Sequence, residues 1–209
     1  MDPCQADGQV STRIEWDTDT PQPSSGWWQA GGSVTFEVDP DASFDGMRVF
    51  ELTRASLIVT GEFRAINTAT DVACVTSVPE QRVTYANPLG PDHYGHADGG
   101  GQVSLDTVGV EGLPEYPAGN YYGQISLIAS VTGTVTCTGP GNWPAEWTNE
   151  FQAVVPLIIR SPVTDPGAPT FVIAEDGRMS GSDSWDDPFL PMGGPGRITS
   201  SWNFVPSGD

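Results

Sequence analysis

The chain has 209 residues, 27 of them acidic and 8 basic, for a formal charge of −19 at pH 7. Nucleic-acid binding rests on phosphate neutralisation and attraction to an anionic membrane needs a basic surface, so this balance opposes both. Hydrophobic residues make up 37% and charged residues 17%, which excludes a charge-rich disordered chain, and no run of ~18 apolar residues exists to insert into a bilayer.

The elements predicted along the chain are strands. Val10, Thr12, Ile14 and Trp16 alternate with polar neighbours, and after the turn-rich 17–32 stretch so do Val34, Phe36 and Val38. Met47 to Phe63 is long and apolar in patches, and reads as one bent strand or two consecutive ones. Asp71 to Tyr85 supplies another strand region, with Pro79 marking a break or an edge. A Gly-, Pro- and Asp-rich loop covers 87–101, and strand character returns at Gln102–Val110. Tyr122 to Cys137 is a long strand, and Phe151, Ala153, Val155, Leu157 and Ile159 alternate cleanly. No segment has the capped 3.6-residue period of a helix.

Roughly seven to nine strands between Val10 and Ile159 suit a single antiparallel β-sandwich, immunoglobulin-like or jelly roll. The segment Leu113-Pro114-Glu115-Tyr116-Pro117-Ala118-Gly119-Asn120-Tyr121 resembles the turn into a late strand in many bacterial immunoglobulin-like or fibronectin-like modules. That resemblance spans about ten residues of turn chemistry and carries no functional residue across. Residues 1–160 therefore form the expected β-sandwich domain. Residues 161–209 are expected as a Pro/Gly-rich C-terminal extension, which either packs across the sandwich or reaches onto a neighbouring subunit. Its isolated aromatics, Phe171, Trp185, Phe189, Trp202 and Phe204, suit the second alternative as interaction anchors.

Three cysteines cannot all pair within one chain. Cys74 and Cys137 both share the parity of apolar strand faces, so they are a candidate disulfide or two buried thiols. Cys4 is the odd one out. All basic residues are arginine, which a GC-rich coding bias explains, while a high-salt setting tolerates so acidic a surface. Met1-Asp2-Pro3-Cys4 lacks the basic and apolar regions of a signal peptide. The chain is expected either to be made without export, as a virion component is, or to be a mature secreted domain.

Candidate chemistry is sparse. His93 and His96 share one acidic, Gly-rich loop and form either a transition-metal pair or an ordinary exposed turn. Asp39, Asp41 and Asp45 space oxygen ligands as calcium loops do. Phe44 stands where the turn glycine belongs, so an Asx-rich turn competes with a calcium site. No cofactor other than that calcium is implied. There is no nucleophile elbow and no lysine, and nothing selects one carboxylate pair for glycoside chemistry, so no enzymatic activity is expected. Trp27, Trp28, Trp143 and Trp147 lie in Gly/Pro-rich stretches, where they serve either as surface aromatics or as lids over the core.

These features lead to a non-catalytic structural component of a protein assembly. The kind expected is a virion protein (capsid, decoration, spike or tail) from a virus of a GC-rich or halophilic host, with other subunits or copies of itself as partners. The alternative is a secreted or cell-surface binding module, carbohydrate-binding or adhesive, that uses the loop tryptophans. Both place the chain in a virion or outside the cell.

Overall fold

The computed structural model describes residues 5–19, 23–43, 45–87, 99–109, 116–141, 146–162, 165–188 and 195–207. These residues form nine strands and no helix: β1 (Gln5–Thr18), β2 (Ser24–Val38), β3 (Met47–Asn67), β4 (Val72–Ala86), β5 (Gly99–Asp106), β6 (Tyr121–Thr138), β7 (Trp147–Ile159), β8 (Met179–Asp187) and β9 (Gly196–Ser207). Every pairing between them is antiparallel; one hydrogen-bonded path, β4-β6-β5-β3-β2-β1-β9-β8, joins eight of them, and β7 pairs with β6 off that path.

One run of that path is β8-β9-β1-β2-β3. At ~3.3 Å per residue, the 21 residues of β3 extend ~70 Å, longer than any neighbour, so two strands share its far edge. Met47–Glu51 pairs with β5, and Arg54–Asn67 pairs with β4. The opposite edges of β5 and β4 are both taken up by β6, through 121–127 and 134–138 respectively, and β7 lies on the outer side of β6. The four strands β3, β4, β6 and β5 thus close a ring of ladders.

Between its two ladders, β6 parts from β4. The Gln81 side chain fills this gap by donating from Nε2 to the Thr132 carbonyl at 2.6 Å and accepting at Oε1 from the Thr132 amide at 2.9 Å. Its carboxamide does the work of a peptide group there, so Thr132 loses neither bond. On the β3 side the register shifts between Val59 and Gly61, opposite Pro79, which has no amide hydrogen to donate. Thr60 Oγ1 compensates by donating to the Val78 carbonyl at 2.9 Å.

Alternation sends one side of every strand into a main core that runs from Ala6 to Phe204, beside a smaller cluster under the end of β4 and β6. The sheet curls so that β7 approaches β1 and β9 across this interior. Phe36 meets Phe204 edge-on at 5.1 Å between ring centres, and Phe63 links Trp16 to Phe151 at 6.2 and 5.9 Å. Gly61 lies beneath Trp28, where an added Cβ would sit 2.5 Å from the indole, so this position of β3 has to be glycine for Trp28 to pack.

Two expectations require correction. The segment from Ser161 is not a free arm where it is described: it supplies β8 and β9, and β9 pairs with β1 from Gln5↔Ser207 to Trp16↔Gly196. Trp202 and Phe204, expected as interaction anchors, are 3% and 0% exposed and lie in the chain's own core. Of the two alternatives for this segment, packing on its own domain is the one observed. Of the tryptophans expected in loops, Trp27 and Trp28 lie within β2 and Trp147 opens β7, and Trp28 is buried.

Candidate interaction face and cleft

Outward positions of β8, β9, β1, β2, β3 and β4 line up in rows through their registers. One row is Ser182, Ser201, Ser11, Gly31, Ile58 and Arg82. On one side of it run Ser180, Asn203, Gln9, Ser33, Ser56 and Thr84; on the other run Ser184, Thr199, Arg13, Gln29 and Thr60. All are exposed or half-exposed. None of these is Asp or Glu, and only Arg13 and Arg82 carry charge; the third row stops at Thr60, where the β3–β4 register shifts and exposed Glu80 of β4 marks its end.

The carboxylates gather at the borders instead. Asp186, Glu15 and Glu62 share the next row with Arg197 and Trp27, and Asp7 lies beyond the opposite side. Arg13 turns to this border, donating from Nε to Glu15 at 2.8 Å and placing its guanidinium 4.7 Å over the Trp27 ring. Arg82 donates to Ser56 Oγ at 2.8 Å, and the Ser184 and Thr199 hydroxyls lie 3.1 Å apart. Serine and threonine make up most of this face, and short side chains lose little rotamer freedom when covered.

The β5–β6–β7 side of the sheet carries a cleft of about 430 Å³ lined by Gln102, Ser104, Tyr122, Gln124, Ile158, Arg160, Asp165 and Trp185 among others. Arg160, just past β7, spans the seam to β8. It donates to both carboxylate oxygens of buried Asp183 at 2.7 and 3.0 Å and to Asp165 at 2.7 Å. Hydrogen bonding to Asp183 is the main reason its pKa is raised above the ordinary arginine value. The guanidinium also lies 5.0 Å over the Trp185 ring. Beside the cleft, burial pushes the Tyr116 hydroxyl up to about 12, against the opposing pull of its hydrogen bond with Ser161.

The remaining candidates are scattered. Asp39 is buried, and its Oδ1 accepts from the amides of Asp41 and Ala42 at 2.9 and 3.0 Å, an Asx turn in which that oxygen already has two donors. Asp41 is part of this turn and Asp45 follows it, and among the described residues no group of three or more His, Cys, Asp or Glu is arranged to hold a metal. Cys74 and Cys137 sit directly opposite each other in the β4–β6 ladder and are disulfide-bonded. Trp147 packs on the small cluster of Val72, Val135 and Cys137. Phe171 lies edge-on to Trp202 at 4.7 Å, and Trp185 packs partly on the main core. Cys4, His93, His96, Trp143 and Phe189 lie outside the described residues.

Sequence reasoning missed both the face and the cleft. The face is a property of register, since its members come from six strands that are not consecutive in the chain. Gln102, Gln124 and Tyr122 were each visible as polar or aromatic strand residues and Arg160 as a charge at a strand end, but nothing local joins them. No family model matches the chain, and neither a curated protein nor a solved structure is similar to it.

Proposed function

We propose that this chain is a non-catalytic structural subunit of an extracytoplasmic protein assembly of the virion kind, associating through the carboxylate-free face. In this reading the curled sheet is a β-sandwich: β8-β9-β1-β2-β3-β4 present the interface, and β5-β6-β7 form the second layer. The face carries the reading. A chain of charge −19 repels its own kind over most of its surface. Interface cores are depleted of charged residues, and this is the surface where two subunits meet without opposing carboxylates. Six strands at ~4.8 Å and three rows at ~6.8 Å, with their margins, cover ~600 Å² per subunit, so a contact would bury ~1,200 Å² in total, at the lower bound for a stable interface. The Cys74–Cys137 bond suits an oxidising setting such as a particle or the cell exterior.

Light scattering coupled to size-exclusion chromatography tests this. The chain should form a defined oligomer that high salt strengthens by screening the acidic surfaces. The double substitution Ser11→Glu with Ser201→Glu should yield folded monomer, while Thr138→Glu on β6 should leave the oligomer intact. A wild-type chain that stays monomeric at ~1 mM in both low and high salt would sink the reading, since interfaces of this size generally bind more tightly than that.

A further inference from the structure

We infer that the cleft between β5, β6, β7 and β8 is a binding site for the pyranose ring of a neutral saccharide. Its volume of about 430 Å³ lies within the ~300–1,000 Å³ usual for small-molecule sites. The lining combines what a sugar ring needs. The Arg160 guanidinium covers one face of the half-buried Trp185 ring, so the part of the indole left in the cleft and the half-buried Tyr122 ring supply the apolar surface for the axial C–H groups of a pyranose, and carboxamides and hydroxyls meet its equatorial oxygens.

Gln102 and Gln124 are direct cross-strand partners, so their amides stand side by side on the outer surface. Gln102 Nε2 reaches Ser104 Oγ only at 3.5 Å, the outer limit of a hydrogen bond, and Gln124 is exposed. Two adjacent carboxamides supply paired donors and acceptors matched to vicinal hydroxyls.

Charge sets the class of sugar. Arg160 is the cation of the cleft, and three of its five N–H groups already go to Asp183 and Asp165. Two carboxylates against one guanidinium leave the site net negative, in a chain that is itself strongly acidic. Uronic and sialic acids are therefore disfavoured. The remaining Arg160 N–H groups and the half-exposed Asp165 carboxylate can serve a hydroxylated, uncharged ligand.

Side-chain resonances of ¹⁵N-labelled protein provide the readout. The probes are cellobiose, lactose, maltose, mannobiose and chitobiose, with glucuronic acid and glycerol beside them. At least one neutral disaccharide should shift the Trp185 indole and the Gln102 and Gln124 amide signals saturably, with a Kd in the low-millimolar range, ~4 kcal/mol of binding. Gln124→Ala, at an exposed position, should weaken that binding at least ~10-fold and leave the melting temperature within a degree or two, the expectation for a surface substitution. Trp185→Phe, which keeps an aromatic ring, should weaken it less than Trp185→Ala does. Glucuronic acid should not compete, and glycerol, which has no ring face, should shift nothing. No shift from any neutral disaccharide at ~50 mM, tenfold or more above the expected Kd, would overturn the inference. So would saturable shifts confined to Trp27 or Trp147, equal binding of glucuronic acid, or equal binding by Gln124→Ala. The oligomeric state is read separately, so loss of the interface leaves this outcome unaffected.

Discussion

Replacing Cys74 and Cys137 together by alanine removes the one covalent tie between β4 and β6. The bond spans 63 residues, and the loop-entropy relation gives about 4 kcal/mol for a closed loop of that length. The ladder it crosses is short, running only from Ala73↔Thr138 to Ser77↔Thr134, so little else holds the two strands together at this end. Each kcal/mol moves the midpoint by about 2–4 °C in a domain of this size, so the variant should melt roughly 8–16 °C below the parent. Scanning calorimetry of the two proteins, with the parent also measured after reduction, reads this directly. The reduced parent should lie close to the variant. A drop of less than about 3 °C, under a quarter of the midpoint expected, would refute the entropic reasoning and mean that the unfolded chain already holds these segments together.

Further outcomes follow from individual contacts. Phe204→Ala, at a fully buried position against Phe36, should cost about 3–5 kcal/mol in urea unfolding. Arg160→Ala should cost a comparable ~3–5 kcal/mol, because Asp183 is then left buried without its counter-ion, whereas the Arg160→Ala/Asp183→Ala double variant should recover part of the loss. Trp202→Phe removes the indole N–H that donates to the Tyr121 hydroxyl at 3.1 Å, and should cost about 1–2 kcal/mol on the same assay. Tyr116 ionises near 12 in the fold against 10.0 unfolded, so above pH 10 the unfolded chain releases its proton first. The stability contributed by the neutral phenol is complete below pH 10 and falls as the pH rises through 12, and Tyr116→Phe should flatten that fall in alkaline urea melts.

The class of fold was legible because period-two alternation survives in most strands: Val10 to Trp16 and Phe151 to Ile159 each declare a buried face without help. The C-terminal strands were not legible. In β9 the inward positions are Ile198, Ser200, Trp202 and Phe204, and Ser200, fully buried beside Thr12, breaks the apolar pattern that would have marked the strand. Trp27 and Trp28 were misplaced for a related reason: glycine and serine around them read as turn chemistry, but in β2 Gly26 and Gly31 let neighbouring strands approach closely. The face and the cleft depend on pairings across long separations, which no local window contains. The parity of Cys74 and Cys137 could be read from each strand alone, while their register could not.

The pairing of β1 with β9 brings together residues almost two hundred positions apart, and it sits in the interior of the sheet order. During synthesis, β1 and β2 can form their hairpin early, but the other edge of β1 keeps its donors and acceptors open until β9 has been made. Such late, non-local closure makes folding slow, because loop entropy must be overcome before the contact returns anything. Throughout that interval Val10, Ile14 and Trp16 line half a core beside an unpaired edge, the surface on which a second unfinished chain would pair. The seam that completes the native sheet is thus also the place where a crowded cell would first see this protein misassemble.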